Sequence, residues 1–380
     1  MKKRVLQFIG SFHQGGSERQ AVSLTRLIKA EASYDVYLAT LNKEGVLLDE
    51  INSLELPEIE EYKLTSFYNP NFIRQVRRCA AYLRKNKIDL VHTHCFYANI
   101  FGMAAATLAG VPVRVASKRE TGKMRTAAQD FVERLAFGRA HAIVVNAAAV
   151  RDYLIEHSIE TKKIRIIYNG LDFSRFSNSD HDKVQTVESF SLPKAENIRF
   201  VTLVANLRHA VKNVPNLLRA ARIVTAKFPD AHFVIAGEGE LESDLKSMAS
   251  ELGLNGNVHF IGRCTDVPAL LDISDICVLT STAEGFANSI LEYMAAGKAV
   301  IATNVGGAAE AIVDGETGYL IPSGDDPALA ARLIELLENG QKAETFGTEG
   351  KRVVTERFSQ NVQLTATLKL YDELLASVGN

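Results

Sequence analysis

Cysteine is scarce in this chain of 380 residues, and the four that occur, Cys79, Cys95, Cys264 and Cys277, show no C-x-x-C spacing. A disulfide framework is therefore not expected, and the thiols read as buried or free in a reducing compartment. Long apolar runs are missing too. The stretch poorest in charge, residues 98–113, is broken by Gly102, Gly110 and Pro112; it reads as a packed helix and turn, too short and interrupted to span a bilayer. The opening Met-Lys-Lys-Arg-Val-Leu-Gln-Phe-Ile-Gly10 has too short an apolar core for a secretory signal. With no targeting signal, the expected location is cytoplasmic. No G-x-G-x-x-G follows the first expected strand, which makes a nicotinamide-dependent dehydrogenase remote. His92 and His94 stand two apart on an expected strand without a cluster of Cys, His, Asp or Glu companions, so no metal is expected.

What is present describes a globular protein of two domains. The length exceeds one ordinary core, and 47% apolar with 23% charged residues is ordinary globular composition. A net charge of −2 conceals an asymmetry. Residues 1–195 hold 28 Lys and Arg against 21 Asp and Glu, whereas residues 196–380 hold 15 against 24. The first half thus suits an anionic partner.

Read in order, the chain alternates strands and helices. Residues 5–9 read as a strand, 10–16 as a glycine loop, and Ser17-Glu-Arg-Gln20 has capping-box spacing before a helix. Such a strand–loop–helix lets backbone N–H groups approach a phosphate. Strands follow at 35–41, 88–94, 113–120, 142–146 and 164–168; residues 42–67 carry no clear pattern. Residues 71–87 form an amphipathic helix whose outer face bears Arg74, Arg77, Arg78, Arg84 and Lys85, either a solvated face or a patch for anionic lipid. Lys123 and Arg125 add basic charge further on. Polar, unperiodic residues 178–197 read as a linker. A second series of strands starts at 198 and continues at 232–236, 258–262 and 275–280, with a last helix at 358–376.

The chain is organised around residues 282–302. Glu284 and Glu292 stand eight apart about an expected helix start, with Asn288 or Ser289 as cap and Gly297 as the stop. Were every intervening residue helical, the two would lie roughly 12 Å apart along the axis. A helix N-terminus between two carboxylates suits a diphosphate flanked by hydroxyl-bearing groups.

This stretch resembles the signature of family 4 of the retaining glycosyltransferases, the group 1 enzymes of GT-B type, written E-G-F/x-x-x-x-x-x-E-A-M-A-x-G-x-P-V-V/I. It departs at Tyr293, usually Ala, and at Ala299, usually Pro. Further matches are Gly15-Gly-Ser-Glu18 to G-G-x-E, Asp89-Leu-Val-His-Thr-His94 to D-V-V-H-x-H, Gly306-Gly-Ala-Ala-Glu310 to G-G-x-x-E and Asp314-Gly-Glu-Thr-Gly318 to D-G-x-x-G. The glycines of the last two read as turns. The resemblance implies an α/β fold of two doubly wound Rossmann-like domains facing across a cleft. An acceptor-side domain would span 1–177 and a linker 178–197. A nucleotide-sugar domain would span 198–357, and a helix at 358–380 would cross back. It further implies transfer of a sugar, with retention of configuration, from a nucleoside-diphosphate sugar to a glycan, lipid-linked or small acceptor, without metal or other cofactor.

By the same resemblance Glu284 holds sugar hydroxyls and Glu292 the ribose. Gly15 and Gly16 lie against the diphosphate, Arg208 and Lys212 neutralise it, and Asn206 stands near the usual arginine position. Phe286, Ala287 and Asn288 contribute backbone, and Arg263 lies in the loop that meets the base. Where relatives have a histidine this chain has Ser117-Lys-Arg119, so Lys118, Arg119 and His94 become the residues for the phosphate or acceptor side. A peripheral contact with anionic membrane fits the basic first half; nucleic acid is not expected. Other readings of the same architecture are a nucleotide-sugar epimerase, a glycan phosphorylase, and a non-catalytic nucleotide-sugar sensor or partner subunit.

Overall fold

The structure, a computed structural model, describes residues 2–121, 125–176, 182–195 and 197–378. Lys123 and residues 178–181 and 196 of the expected linker lie outside the described residues. The chain divides into two compact units, Met1–Gly170 with Gln360–Asn380, and Leu171–Ser359. Residues 171–176, read from the sequence as part of the first domain, thus pack with the second.

In the first unit seven parallel strands, β1 (Lys3–Ile9), β2 (Tyr34–Thr40), β3 (Glu60–Glu61), β4 (Leu90–His94), β5 (Val113–Lys118), β6 (Ala142–Val145) and β7 (Ile164–Ile166), lie in the order β3-β2-β1-β4-β5-β6-β7. Adjacent residues of β1 face opposite sides and all are buried from Val5 to Ile9, as in a parallel sheet covered on both faces. Leu6 and Phe8 pack on Val76, Leu83 and Phe101 of the helices Pro70–Lys85 and Phe96–Ala109. Val5 packs on the opposite side with Leu24, Ile28, Leu370 and Tyr371 of the helices Gly16–Glu31 and Gln360–Ser377.

The second unit repeats the plan with β8 (Arg199–Val204), β9 (Ala231–Ala236), β10 (Val258–Gly262), β11 (Ile276–Leu279), β12 (Ala299–Thr303) and β13 (Tyr319–Ile321), ordered β10-β9-β8-β11-β12-β13. Its core joins Val201 and Ile235 of the sheet to Leu217 and Leu218 of the helix Val214–Lys227 and to Leu329 and Leu333 of the helix Asp326–Glu338. Strand order reverses between β1 and β4 and again between β8 and β11. In open α/β sheets that switch point, at the carboxyl ends of the strands, is where ligands bind.

Two readings need revision. Part of the expected linker is a helix, Lys183–Ser189, capped by Asp182, whose side chain accepts from Val184 and Gln185 N–H. Val187, Phe190 and Leu192 seat that segment on Val234 and Leu270. The unpatterned residues 42–67 supply a short helix, Leu48–Asn52, and the two-residue edge strand β3. On the basic helix Pro70–Lys85, Arg78 donates to the Glu61 carbonyl at 2.5 Å and Arg84 to the carbonyls of Leu108 and Ala109. Two of its five cations thus fasten the helix to its own unit. Among the described residues no helix is long and apolar enough to cross a membrane.

Candidate active site

β8 ends at Val204, and the chain crosses the sheet's carboxyl edge in a loop, 205–213. Asn206 Oδ1 accepts the Arg208 N–H at 2.7 Å, an Asx turn that shapes the loop's start. Gly237 and Gly239 lie against the backbone of Ala205 and Leu207. The far end of the loop is tied to the segment after β11: the Thr280 hydroxyl donates to the Lys212 carbonyl at 2.8 Å, and the Thr282 N–H to the Val211 carbonyl at 2.8 Å. These bonds bring two side chains together that are 72 residues apart in sequence. Lys212 Nζ donates to Glu284 Oε1 at 2.6 Å, and the same oxygen accepts the Ser281 hydroxyl at 2.7 Å. Both members of the ion pair are mostly buried, 23% and 16% exposed. A fixed cation and a fixed carboxylate therefore share one point of the carboxyl edge.

Glu284 itself is held by its backbone. Gly306 has φ +56°, and a Cβ there would meet the Gly285 carbonyl oxygen at 2.6 Å and the Glu284 carbonyl closer still. Gly307 N–H donates to the Gly285 carbonyl at 2.7 Å. The helix that follows is Asn288–Ala295, with Ala287 at its N-cap and no side-chain cap. This corrects the expected Asn288 or Ser289 cap: Asn288 is already helical. It also removes the premise of the 12 Å separation, because residues 284–287 are not helical. Phe286 is buried against Phe358, ring centroids 5.2 Å apart; Ala287 is buried and Asn288 half-buried. Glu292, half-buried, faces the loop after β10. Burial, with the Asp266 and Glu292 carboxylates nearby, pushes the Cys264 thiol up to about 11. Arg263, its neighbour, is exposed.

Arg208 is not part of the Lys212–Glu284 pair. Its guanidinium is 60% exposed and 3.8 Å from an equally exposed Glu238. Such a surface pair contributes at most about 1 kcal/mol, so Arg208 is free to turn toward an anion. Ser281, Thr280 and Gly306 were not singled out by the sequence. The signal for Gly306 lay in the G-G-x-x-E match, read as a turn alone.

In the first unit the corresponding edge carries Gly15 and Gly16. Gly15 is the N-cap of the helix Gly16–Glu31. The expected capping box of Ser17 with Gln20 is absent, since the helix starts before Ser17 and Gln20 Nε2 donates to the Gly170 carbonyl at 3.1 Å. Arg119, just beyond β5, donates from a terminal nitrogen to Asn169 Oδ1 at 2.5 Å. Its Nε is buried without a partner. Burial lowers the guanidinium to about 10, with Glu18 nearby opposing the shift, so it remains a cation at neutral pH.

Lys118 and His94 are corrected. Lys118 faces the opposite side of the sheet, 2% exposed, and donates to the buried Glu133 at 2.6 Å. Turning it out toward a phosphate would strand Glu133, a cost of about 3–5 kcal/mol. His94 is no rim residue. It is 1% exposed, its Nε2 is 2.7 Å from Gln7 Oε1, and its ring lies 4.2 Å from that of His92. His92 in turn bonds the Tyr371 and Ser117 hydroxyls, at 2.5 and 2.7 Å. Among the described residues no group of three or more His, Cys, Asp or Glu side chains is placed to hold a metal ion.

Burial lowers His92 to about 3 and His94 well below its ordinary value. Both are neutral when folded and take a proton on unfolding below about pH 6.5, so stability present above that pH is lost on acidification. His259, lowered to about 4, and His141 and His232 act in the same sense. The urea midpoint should therefore fall between pH 7.5 and 5.5, with a limiting slope of about 1.4 kcal/mol per pH unit for each proton taken up. A His94→Gln variant should show a shallower fall; an unchanged slope would remove this histidine from the account.

Comparison with known proteins places both halves of the chain in described families. Residues 14–175 match the family described as Glycosyltransferase Family 4, and residues 184–353 the family described as Glycosyl transferases group 1. The chain is 38% identical over 149 residues to EpsD of Bacillus subtilis (strain 168), named as a glycosyltransferase; that match spans 39% of each protein. It is 25% identical over 370 residues to N-acetyl-alpha-D-glucosaminyl L-malate synthase of Bacillus anthracis, covering 95% of this chain and 94% of the relative. The fold is that of Anabaena HepE, whose structure was determined with UDP and glucose: TM-score 0.85 at 20% identity, over 98% of this chain and all of HepE. The chain belongs to family 4 of the glycosyltransferases, the group 1 enzymes, and has their GT-B fold of two parallel α/β domains.

Proposed function

We propose that this protein transfers a sugar from a nucleoside-diphosphate donor to a hydroxyl of a glycan, lipid-linked or small acceptor, in the cytoplasm and with retention of anomeric configuration. The observation that carries the reading is the Lys212–Glu284 pair at the switch point of the second sheet, beside the helix start at Asn288. Bond cleavage at the anomeric carbon leaves positive charge on the sugar and negative charge on the departing diphosphate. Glu284 bonds sugar hydroxyls and steadies the first; Lys212, Arg208 after reorientation, and the helix N-terminus with the backbone of 286–288 steady the second. Glu292 bonds the ribose, and the loop at Arg263 meets the base. Gly16 and Arg119 are assigned to the phosphate or acceptor side. No side chain is assigned as an enzymic nucleophile, so the acceptor hydroxyl attacks the face the leaving group departs from, giving its proton to a diphosphate oxygen. In this scheme protein cations do the work of a metal.

A panel of nucleotide sugars, assayed for acceptor-dependent release of nucleoside diphosphate, tests the reading. Binding without turnover across acceptors would favour a sensor, and an inverted product would remove the front-face mechanism. Glu292→Ala should weaken donor binding about 10- to 100-fold, the loss of a charged hydrogen bond. Calorimetry giving an unchanged donor affinity would refute its role.

A further inference from the structure

β8 pairs with β9 along its whole length, as far as Val204 with Ala236, yet with β11 only at Val201 and Thr202. The end of the strand that feeds the loop of Arg208 and Lys212 therefore has one edge that no strand covers. Tyr293 covers it. Its phenol oxygen accepts the Val204 N–H at 2.7 Å, and its side chain is fully buried. Tyr293 follows Glu292 on the helix Asn288–Ala295. The phenol thus joins the helix that begins beside Glu284 to the point where the cationic loop leaves the sheet. The alanine usual here in the resembling pattern has no atom to make that bond.

We propose that Tyr293 is a positioning residue whose hydroxyl fixes the junction of β8 with loop 205–213, and through it the seat of Lys212 on Glu284. Its effect on turnover rests on the donor reading above; its effect on the loop does not. Tyr293→Phe keeps the ring and removes only the bond, so the variant should fold. Hydrogen exchange on the unliganded protein should then be about tenfold faster for amides of 204–213 and unchanged in the first unit. With a working nucleotide sugar, kcat should fall about tenfold while the donor KM stays within about twofold, since Glu292 is untouched. Tyr319→Phe is the comparison, because its hydroxyl donates to Glu335 at 2.5 Å, away from the loop. That variant should leave both loop exchange and kcat as in the wild type.

Wild-type exchange over 204–213 in Tyr293→Phe would overturn the proposal. So would faster loop exchange in Tyr319→Phe, which would trace the effect to general loss of stability. If the wild-type protein turns over no nucleotide sugar, the donor reading fails, and the exchange experiment still decides the role of Tyr293.

Discussion

Replacing Glu284 with glutamine should lower kcat by about 100- to 1000-fold, the range seen when one preorganised group facing transition-state charge is lost. The substitution is nearly isosteric, and the new amide oxygen can still accept from Lys212 and Ser281, so the loop keeps its shape. What disappears is the negative charge, which under the proposed mechanism matters most when the sugar becomes cationic. Donor affinity should move by less than about fivefold, because the ground-state sugar is neutral and uniform binding is retained. Steady-state release of nucleoside diphosphate, with calorimetric donor titration alongside, separates the two quantities. A kcat within a few-fold of wild type would mean that the carboxylate only seats Lys212. Lys212→Met should also be strongly impaired, and the double variant should fall well short of the product of the two losses, since the side chains are in direct contact at 2.6 Å.

Much of this was legible in the sequence. The strand–helix alternation gave both sheets, and the spacing of Glu284, Glu292 and Gly297 marked the loop and helix of the candidate site. The failures have local causes. Alternation along β5 sends Ser117 to one face, where it meets His92, and Lys118 to the other, where it meets Glu133; the period of two alone should have separated Lys118 from its neighbours. Asn288 looked like a cap because its type favours caps, but the chain places Ala287 there, a residue with no side-chain oxygen to occupy the helix N–H groups. His92 is met by the hydroxyl of Tyr371, 279 residues away, and no window along the sequence reports such a neighbour. The helix Lys183–Ser189 was hidden by its polar composition, although Asp182 and the apolar Val187, Phe190 and Leu192 were its signs.

Gly306→Ala should cost about 2–4 kcal/mol of stability and about 100-fold in kcat, the second because a displacement near 1 Å at a reacting centre is that expensive. Two effects combine there. A φ of +56° disfavours any side chain, and the new Cβ would collide with the carbonyls of Glu284 and Gly285, which are backbone and cannot swing aside. The loop must move, carrying Glu284 away from Lys212. Gly315→Ala separates the two effects, because Gly315 has φ +79° and nothing within 4 Å of an added Cβ. It should lose about 1–2 kcal/mol from backbone strain alone and keep its kcat. Urea denaturation and donor turnover on both variants make the comparison. Equal kcat values for the two would show that the contact at Gly306 does not place the carboxylate, and the glycine would then be what the sequence first suggested, a turn. Unequal values, with Gly306→Ala the slower, would make the two glycine motifs different in kind: one shapes a surface turn, the other holds the backbone on which Glu284 stands.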